Sequence, residues 1–267
     1  MRIYAIRDNT IDRKKNLAFF FYYEHINECC IEINDGISEW ELPFILDSYV
    51  RRGIMTVTQE DTMRFISQRV IPPDRQNIGM ILKDNGLDEY DEIKLFILSD
   101  GRCAQDECFI RPIADDELPE NIRSRLTHRI TAFLECDNRD FLVSFADGSI
   151  GVIERQDFDL RIGKKYGEKI FREIDIEISG GGSQVNLKNY GRLSSDLLYT
   201  LRRVLPFSLS DMGLLYRENY LKTSDVCQIL ECTRQNVNDL VKRGKLQPIE
   251  EQEGGLIFRR TDVMERM

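Results

Sequence analysis

The chain has few of the residues that carry most enzyme chemistry. Its 267 residues include two histidines, His25 and His128, and one tryptophan. None of its serines lies in a Gly-x-Ser-x-Gly motif, the strained turn that exposes the nucleophile of many hydrolases. Because no nucleophile–base pair is recognisable, we expect a protein that is not an enzyme and has no cofactor.

Long apolar runs are also missing. The strongest apolar stretch, Leu17–Tyr23, is far shorter than the roughly 18 residues that a membrane-spanning helix needs. Charged residues at Arg2, Arg7 and Asp8 interrupt the N-terminus, which therefore lacks the pattern of a signal peptide. We expect a cytoplasmic protein with no membrane partner.

Cysteine is present, but not in a pattern typical of disulfides or zinc. The seven cysteines are an odd number with irregular spacing, which fits reduced thiols. The pairs Cys103/Cys108 and Cys227/Cys232 each enclose four residues, whereas structural zinc usually uses closer pairs. Cys227 and Cys232 also occupy positions where small apolar residues are expected. We therefore predict core packing and no metal.

The net charge of −9 argues against a protein that coats nucleic acid in general. The excess of acid is not uniform along the chain. Residues 217–267 contain nine Lys or Arg and nine Asp or Glu, so this segment is neutral. Any DNA affinity of the segment must come from a local basic face, helped by a second copy of the protein.

The C-terminal fifty residues show two short helical patterns joined by a tight turn. Thr223 is a predicted N-cap of the first helix and Thr233 of the second. Apolar residues at spacing i, i+3, i+4 form one face on each helix. These faces are Val226, Ile229 and Leu230 on the first helix, and Val237, Leu240 and Val241 on the second.

A hairpin is predicted after the second helix, which ends at Arg243-Gly244-Lys245 with glycine at a C-cap-like position. Its predicted strands are 246–249 and 256–260, around Gly254-Gly255. Arg, Gln and Asn side chains can form bidentate contacts with base edges, and the hairpin arginines are placed for phosphates. The candidate DNA-binding residues are Thr233, Arg234, Gln235, Asn236, Asn238, Lys242, Arg243, Lys245, Arg259 and Arg260.

Residues 220–263 resemble the MerR-like and phage-excisionase winged helix-turn-helix family. The matching residues are Tyr220, Leu221, Thr223, Ile229, Leu230, Thr233, Arg234, Gln235, Arg243, Gly244, Lys245, Leu246, Phe258, Arg259, Arg260, Asp262 and Val263. The resemblance implies that the second helix enters the major groove of DNA. One departure is Glu231, where the family usually has glycine in the turn. A non-glycine residue at positive φ costs roughly 1 kcal/mol, so we expect Glu231 to change the shape of the turn.

The first region, 1–120, begins with strands predicted at 2–6, 17–24 and 29–33, and continues with helices that begin after Thr58 and cover 76–83 and 89–98. It resembles an uncharacterised domain of Firmicute proteins encoded near HipA-like toxin kinases. The residues that carry this resemblance are Arg69, Val70, Ile71, Pro72, Pro73, Asp74, Arg75, Gln76, Asn77, Gly101, Arg102 and Asp106. The acidic stretch 114–120 is predicted to be a linker or an exposed helix start.

The second region, 121–210, has predicted strands at 130–135, 141–145, 149–153, 171–178 and 184–187, and a helix at 194–205. Gly180-Gly181-Gly182 lacks the Lys-Ser/Thr of a phosphate-binding loop and is predicted to be a flexible hairpin loop. The region resembles a small bacterial family that is often the antitoxin-side partner of two-gene toxin modules. The matching elements are Phe145, Asp147, Gly148, the strand through Ile176, and residues 194–199.

Together these patterns predict an α+β, multidomain chain. Two α+β domains, 1–120 and 121–210, precede a winged helix-turn-helix at 217–267, with linkers near 112–125 and 208–219. The expected function is a sequence-specific transcriptional regulator that binds double-stranded DNA as a homodimer, made through the N-terminal or middle domain. An antitoxin that binds a protein toxin and represses its own operon is a special case. The alternative is an interaction protein whose helix-turn-helix is a docking surface.

Overall fold

The apolar strands near the N-terminus form the largest sheet of the structure, a computed structural model that describes residues 1–12, 14–136, 140–162, 176–187, 191–252 and 255–266. This sheet has the strand order β4-β3-β2-β1-β5, and its neighbouring strands are antiparallel. The strands are β1 (Arg2–Asp8), β2 (Ala18–Tyr23), β3 (Glu28–Ile33), β4 (Thr56–Val57) and β5 (Cys108–Pro112). The three strands predicted before residue 34 are confirmed.

The sheet is buried on both faces, which explains why β2 reads Ala-Phe-Phe-Phe-Tyr-Tyr without polar alternation. Phe20 and Tyr22 pack on one face, and Phe19 and Phe21 pack on the other. Helices cover the Phe20 face, and the predicted helix after Thr58 is among them. These helices are α1 (Phe44–Arg51), α2 (Gln59–Ser67) and α4 (Glu92–Leu98), while α3 (Ile78–Asp84), which lies between α2 and α4 in the chain, has no buried residue.

The predicted linker at 112–125 is wrong because it contains helix α5 (Glu120–Thr127). Ile122 is fully buried, and Leu118 packs with it against the Phe19 and Phe21 face of the sheet. The acidic residues before the helix remain exposed in a short 3-10 turn, Asp115–Glu117. Leu126 of the helix packs against the same face, but the surrounding charged residues hide this apolar spacing in the sequence.

The middle region adds two smaller antiparallel sheets around a separate core that contains Phe133, Phe141 and Phe158. The predicted strands at 130–135, 141–145, 149–153 and 184–187 are confirmed to within one residue, and residues 171–175 of another lie outside the described residues. The elements are β6 (Ile130–Glu135), β7 (Phe141–Phe145), β8 (Ile150–Ile153), α6 (Arg155–Ile162), β9 (Ile176–Ser179), β10 (Gln184–Leu187), β11 (Gly191–Ser194), α7 (Ser195–Leu201) and β12 (Arg203–Val204).

The last helix of this region ends earlier than predicted. Ser194 caps α7 by accepting a hydrogen bond from the Leu197 N–H, as expected. The helix stops at Leu201, however, and Arg203 and Val204 pair with β8. The last residues of the predicted helix therefore pair with the edge of the sheet instead of forming another helical turn.

A buried ion cluster connects the two predicted N-terminal domains. Arg129, just before β6, donates hydrogen bonds to the Glu32 carboxylate and to the Cys30 Sγ on β3. Arg125 of α5 lies 3.4 Å from the second Glu32 oxygen, and the Thr56 hydroxyl donates to that oxygen at 2.9 Å. The boundary predicted at residue 120 thus falls inside one compact unit, Met1–Asp147 with Gly151–Val204.

The second compact unit comprises Gly148–Ile150 and Leu205–Met267. Its core is built from Leu221, Val226, Val237, Leu246, Phe258 and Val263. Its helices are α8 (Leu209–Asn219), α9 (Thr223–Ile229), α10 (Arg234–Lys242) and α11 (Arg260–Met264). Its three-stranded sheet, ordered β13-β15-β14, consists of β13 (Tyr220–Lys222), β14 (Glu250–Gln252) and β15 (Gly255–Arg259).

The predicted linker at 208–219 is therefore also wrong, since most of it is helix α8. The whole chain combines helices with antiparallel sheets, and the predicted α+β class is confirmed. Among the described residues, no helix is long and apolar enough to cross a membrane.

Candidate nucleic-acid interface

Helix α10 has one buried face and one polar, exposed face. Val237 is completely buried, and Leu240 and Val241 pack beside it, as the apolar spacing predicts. The residues predicted to read DNA from this helix are all exposed: Arg234, Gln235, Asn236, Asn238 and Lys242. The fold thus places five of the candidate side chains on one solvent-facing surface.

Thr233 fixes where α10 begins. Its hydroxyl oxygen accepts a hydrogen bond from the Asn236 N–H at 3.3 Å, so the predicted N-cap is confirmed. Arg234 and Gln235 consequently occupy the first turn of the helix. In a helix-turn-helix, base edges are contacted from this end of the second helix.

The turn before α10 contains a left-handed residue although it lacks glycine. Glu231 adopts a φ of 45°, in the region of backbone conformation that favours glycine. The Cys232 N–H donates to the Cys227 carbonyl at 2.9 Å and so closes the end of α9. A residue with a Cβ at this φ costs about 1 kcal/mol, so the turn carries strain at Glu231.

Positive charge collects where α10 ends. Gly244 has a φ of 65°, and the Lys245 N–H donates to the Leu240 carbonyl at 2.9 Å, which confirms the predicted glycine stop. Lys242, Arg243 and Lys245 around it are all exposed. Cations at this end also suit the negative pole of the helix dipole.

The predicted N-cap at Thr223 is wrong. Thr223 is the first residue inside α9, and its hydroxyl bonds to both the N–H and the carbonyl of Leu256 at 3.2 Å. The cap lies one residue earlier, where the Lys222 N–H donates to the Asp225 carboxylate at 2.9 Å. Thr223 therefore holds α9 against β15, a role that only the folded sheet reveals.

The first strand of the hairpin lies later than predicted. Leu246 is buried in the core below α10, and Pro248 has no N–H for a strand ladder. Pairing with β15 begins at Ile249 and continues through β14, where Gln252 lies opposite Gly255. The exposed residues of β14 include Glu250 and Glu251, so this strand is acidic.

Arg259 and Arg260 are exposed, but they lie away from the tip of the hairpin. Arg259 is opposite Tyr220 at the far end of β15, four strand positions or about 13 Å from Gly255. Arg260 begins α11 and donates to the Glu218 carbonyl at 3.4 Å. These two adjacent arginines, at the far end of β15, are defined here as the second basic site.

The glycine triplet, which the sequence predicts to be a flexible hairpin loop, has two of its three amides engaged in hydrogen bonds. The Gly180 N–H donates to Gln59 Oε1 at 2.9 Å, and the Gly181 N–H donates to Glu28 Oε2 at 2.8 Å. A Cβ on Gly181 would lie 2.1 Å from the Tyr23 ring. The loop is a packed turn that requires glycine, so the prediction of a flexible loop is wrong.

The C-terminal cysteine pair packs as apolar residues, whereas the Cys103 sulfur accepts a hydrogen bond from Arg69 at 3.2 Å. Cys227 and Cys232 contact the core of the second unit, as predicted. Burial raises the pKa of the Cys232 thiol, and the nearby Cys227 raises it further, which disfavours the thiolate that zinc needs. In the part of the chain that the structure describes, no group of three or more His, Cys, Asp or Glu residues is arranged to hold a metal ion.

Sequence reasoning missed helix α8 and strand β13, which complete the second unit. Leu221 of β13 is buried, and the apolar residues of α8 recur at helical spacing. That spacing was the available signal for α8. Comparisons with protein-family models, with curated proteins and with solved structures find no match to this chain.

Proposed function

We propose that this chain is a sequence-specific regulator of transcription that binds double-stranded DNA through the second unit. The observation that carries the proposal is the exposed polar face of α10, which begins at a capped N-terminus. Two packed helices, a short turn and a following hairpin form the arrangement used by winged helix-turn-helix proteins. In this proposal α10 lies in the major groove.

The spacing on α10 suits a row of base contacts. Arg234, Asn238 and Lys242 are separated by four residues each and follow one side of the helix. They span about 12 Å, which corresponds to roughly three or four base-pair steps. Arg234 is suited to guanine and Asn238 to adenine, while Lys242 reaches guanine or a phosphate.

The remaining cations are assigned to phosphates. Arg243 and Lys245 flank the end of α10, and Arg259 forms the second basic site with Arg260. The module is neutral overall, so these few contacts give one copy only weak binding. A homodimer that engages two half-sites supplies the missing affinity.

The test is a binding titration with duplexes selected from a random pool and with the DNA upstream of the gene. Replacing Arg234 or Gln235 by Ala should cost about 1–3 kcal/mol and relax the base preference at one or two positions. Gln228→Ala is the matched control, because Gln228 is an exposed glutamine on α9 outside the predicted reading face. It should leave the base preference unchanged. If the wild type shows no sequence preference, α10 is a docking surface instead.

An antitoxin role is the special case of this proposal, and one surface of the first unit supports it. Trp40 and Phe44 are 88% and 84% exposed. Large aromatic residues supply much of the binding energy at protein interfaces, so two exposed ones indicate a surface for a partner. We assign this pair to the binding of a protein partner.

Trp40 is the only tryptophan, so its fluorescence reports on that surface alone. Acrylamide should quench it freely in the isolated protein. Adding the product of the neighbouring gene should protect it, and Trp40→Ala should weaken the complex by at least tenfold in a titration followed by calorimetry. Exposed Met80, which lies on α3, provides the control variant Met80→Ala. Unchanged quenching in a complex that forms would contradict the assignment.

A further inference from the structure

Helix α8 is only partly covered by the described residues around it, which is unusual for a helix of its length. None of its eleven residues is buried. Its N-terminus is well capped, since the Ser208 N–H donates to Asp211 at 2.8 Å and the Asp211 N–H donates to the Ser208 hydroxyl at 3.2 Å. Isolated helices shorter than about 12–15 residues are marginal in water, however, and most helices are stabilised by packing an apolar face. Helix α8 therefore has an apolar face available for a partner.

That face consists of Leu209, Met212, Leu215 and Tyr216, defined here as the α8 face. The four side chains are 43%, 36%, 60% and 45% exposed. Their spacing of three, six and seven residues from Leu209 places them in one stripe of the helix. Beside the stripe lies a cleft of about 580 Å³, which Tyr220 and Arg259 also line. The stripe forms a ridge and the cleft forms a groove, so one surface contains both shapes.

Gly213 adds an independent observation. It lies near the middle of α8, where glycine is less favourable than alanine, and its φ is not positive. A Cβ at this position would meet nothing within 4 Å, so none of the described residues requires glycine here by contact. A small residue in the middle of a helix permits the close approach of a second helix.

We propose that the occupant of the α8 face is the α8 face of a second copy of this chain. A two-fold interface uses the same patch on both copies, and a patch that contains both a ridge and a groove can match itself. The four half-exposed side chains present on the order of 300 Å² per copy, less than half of the roughly 800 Å² per partner in a stable interface. This area fits a weak, reversible homodimer.

The proposal goes beyond DNA binding and is tested without DNA. It also adds a geometric reason to the proposed function, because α8 leads directly from Asn219 into β13, which is followed by α9 and the proposed reading helix α10. A contact between two α8 helices would set the spacing of the half-sites. This interface would lie in the second unit, whereas the sequence predicts a homodimer made through the N-terminal or middle domain.

The experiment is sedimentation equilibrium of the full chain between 1 and 100 µM, as an order-of-magnitude range for a weak interface. The wild type should rise from the monomer mass of 31.3 kDa toward twice that value. Leu215→Lys should weaken association at least tenfold. Leu214→Lys is the matched control, since Leu214 is the adjacent leucine, 51% exposed, and does not line the cleft. It should change association less than twofold.

Gly213→Leu provides a second variant, which favours the helix but blocks a close approach of two α8 helices. It should also weaken association, and circular dichroism should show that all three variants keep the helix content of the wild type. A wild type that stays monomeric throughout the range would overturn the proposal. So would a dimer that Leu215→Lys and Gly213→Leu leave intact, because its interface would then lie elsewhere. Loss of DNA binding with intact association would instead contradict the proposed function alone.

Discussion

Arg129 and Glu32 are 97 positions apart in the chain, yet their side chains form an ion pair in the interior of the first unit. Glu32 is 1% exposed and Arg129 is 5% exposed. The pair joins the sheet of the first predicted domain to the segment that begins the second. Their burial makes the pair sensitive to the loss of either partner, because an isolated charge in the interior is costly.

Glu32→Gln should therefore lower the free energy of unfolding by about 3–5 kcal/mol. Because the pair couples both regions, residues 1–120 and 121–204 should unfold in one shared transition in the wild type. Urea titration followed by circular dichroism measures the loss, and hydrogen exchange resolves the two regions. Glu24→Gln removes an exposed partner of Arg2 and should cost less than about 1 kcal/mol. Separate unfolding of the two regions would show that they are independent domains.

Asp106 should make the stability of the first unit depend on acid pH. Its carboxylate accepts a hydrogen bond from buried Arg69 at 2.9 Å and another from the Cys108 N–H at 2.9 Å. Burial alone would raise the pKa of Asp106, but the hydrogen bonds and charge of Arg69 outweigh burial and hold it below its usual value. A lowered folded pKa gives stability that is present above the unfolded pKa of about 3.9 and is lost as pH falls through the folded pKa.

Asp106→Asn should consequently cost on the order of 3 kcal/mol at pH 7, since it leaves the buried Arg69 without its carboxylate. The difference from the wild type should shrink below about pH 4 as Asp106 of the wild type becomes protonated. Urea titrations at several pH values measure both effects. Exposed Asp116 provides the control Asp116→Asn, which should show neither. A difference that stays constant down to pH 2 would contradict the role of this charge.

The local features of the second unit could be predicted well from the sequence. Thr233 and Gly244 were predicted as the two ends of α10 because a cap and a helix stop depend on neighbouring residues alone. The strands of the first sheet were also predictable, since three short runs rich in aromatic and β-branched residues favour strands. Helix α8 was missed because Gly213 and the charged residues around its leucines resemble a linker, although the leucine spacing is helical.

Long-range partners explain most of the remaining errors. Thr223 has the composition of an N-cap, but β15 lies close enough to take its hydroxyl. The glycine triplet resembled a flexible loop, and only the folded sheet brings Tyr23 against Gly181. Arg129 gave no sign of burial in the sequence, because its partner Glu32 comes from a distant strand. None of these contacts leaves a periodic signal in the sequence.

Glu231 should be a site where a single change stabilises the second unit. Glycine tolerates the φ of 45° without the steric cost of a Cβ, so Glu231→Gly should raise the free energy of local opening by about 1 kcal/mol. Glu231→Ala retains the Cβ and should change it little. Gly244→Ala, at a φ of 65°, should lower it by a similar amount. Hydrogen exchange of the α9 and α10 amides measures these values, and a stabilising Gly244→Ala would contradict the argument.

Arg259 and Arg260 should differ in their effect on DNA binding, although both were predicted to contact phosphates. The Arg260 guanidinium is partly engaged, since it donates to the Glu218 carbonyl at 3.4 Å and lies 3.8 Å from the Glu218 carboxylate. Arg259 extends from the end of β15 beside Tyr220. Arg259→Ala should weaken binding to all sequences alike and flatten the salt dependence by about one unit, with the base preference unchanged.

Arg260→Ala should flatten the salt dependence by less, because Glu218 already neutralises part of that charge. Glu218→Gln frees Arg260 and should steepen the salt dependence. Titrations at four salt concentrations measure the three slopes, and a base preference altered by Arg259→Ala would assign that arginine to the bases instead.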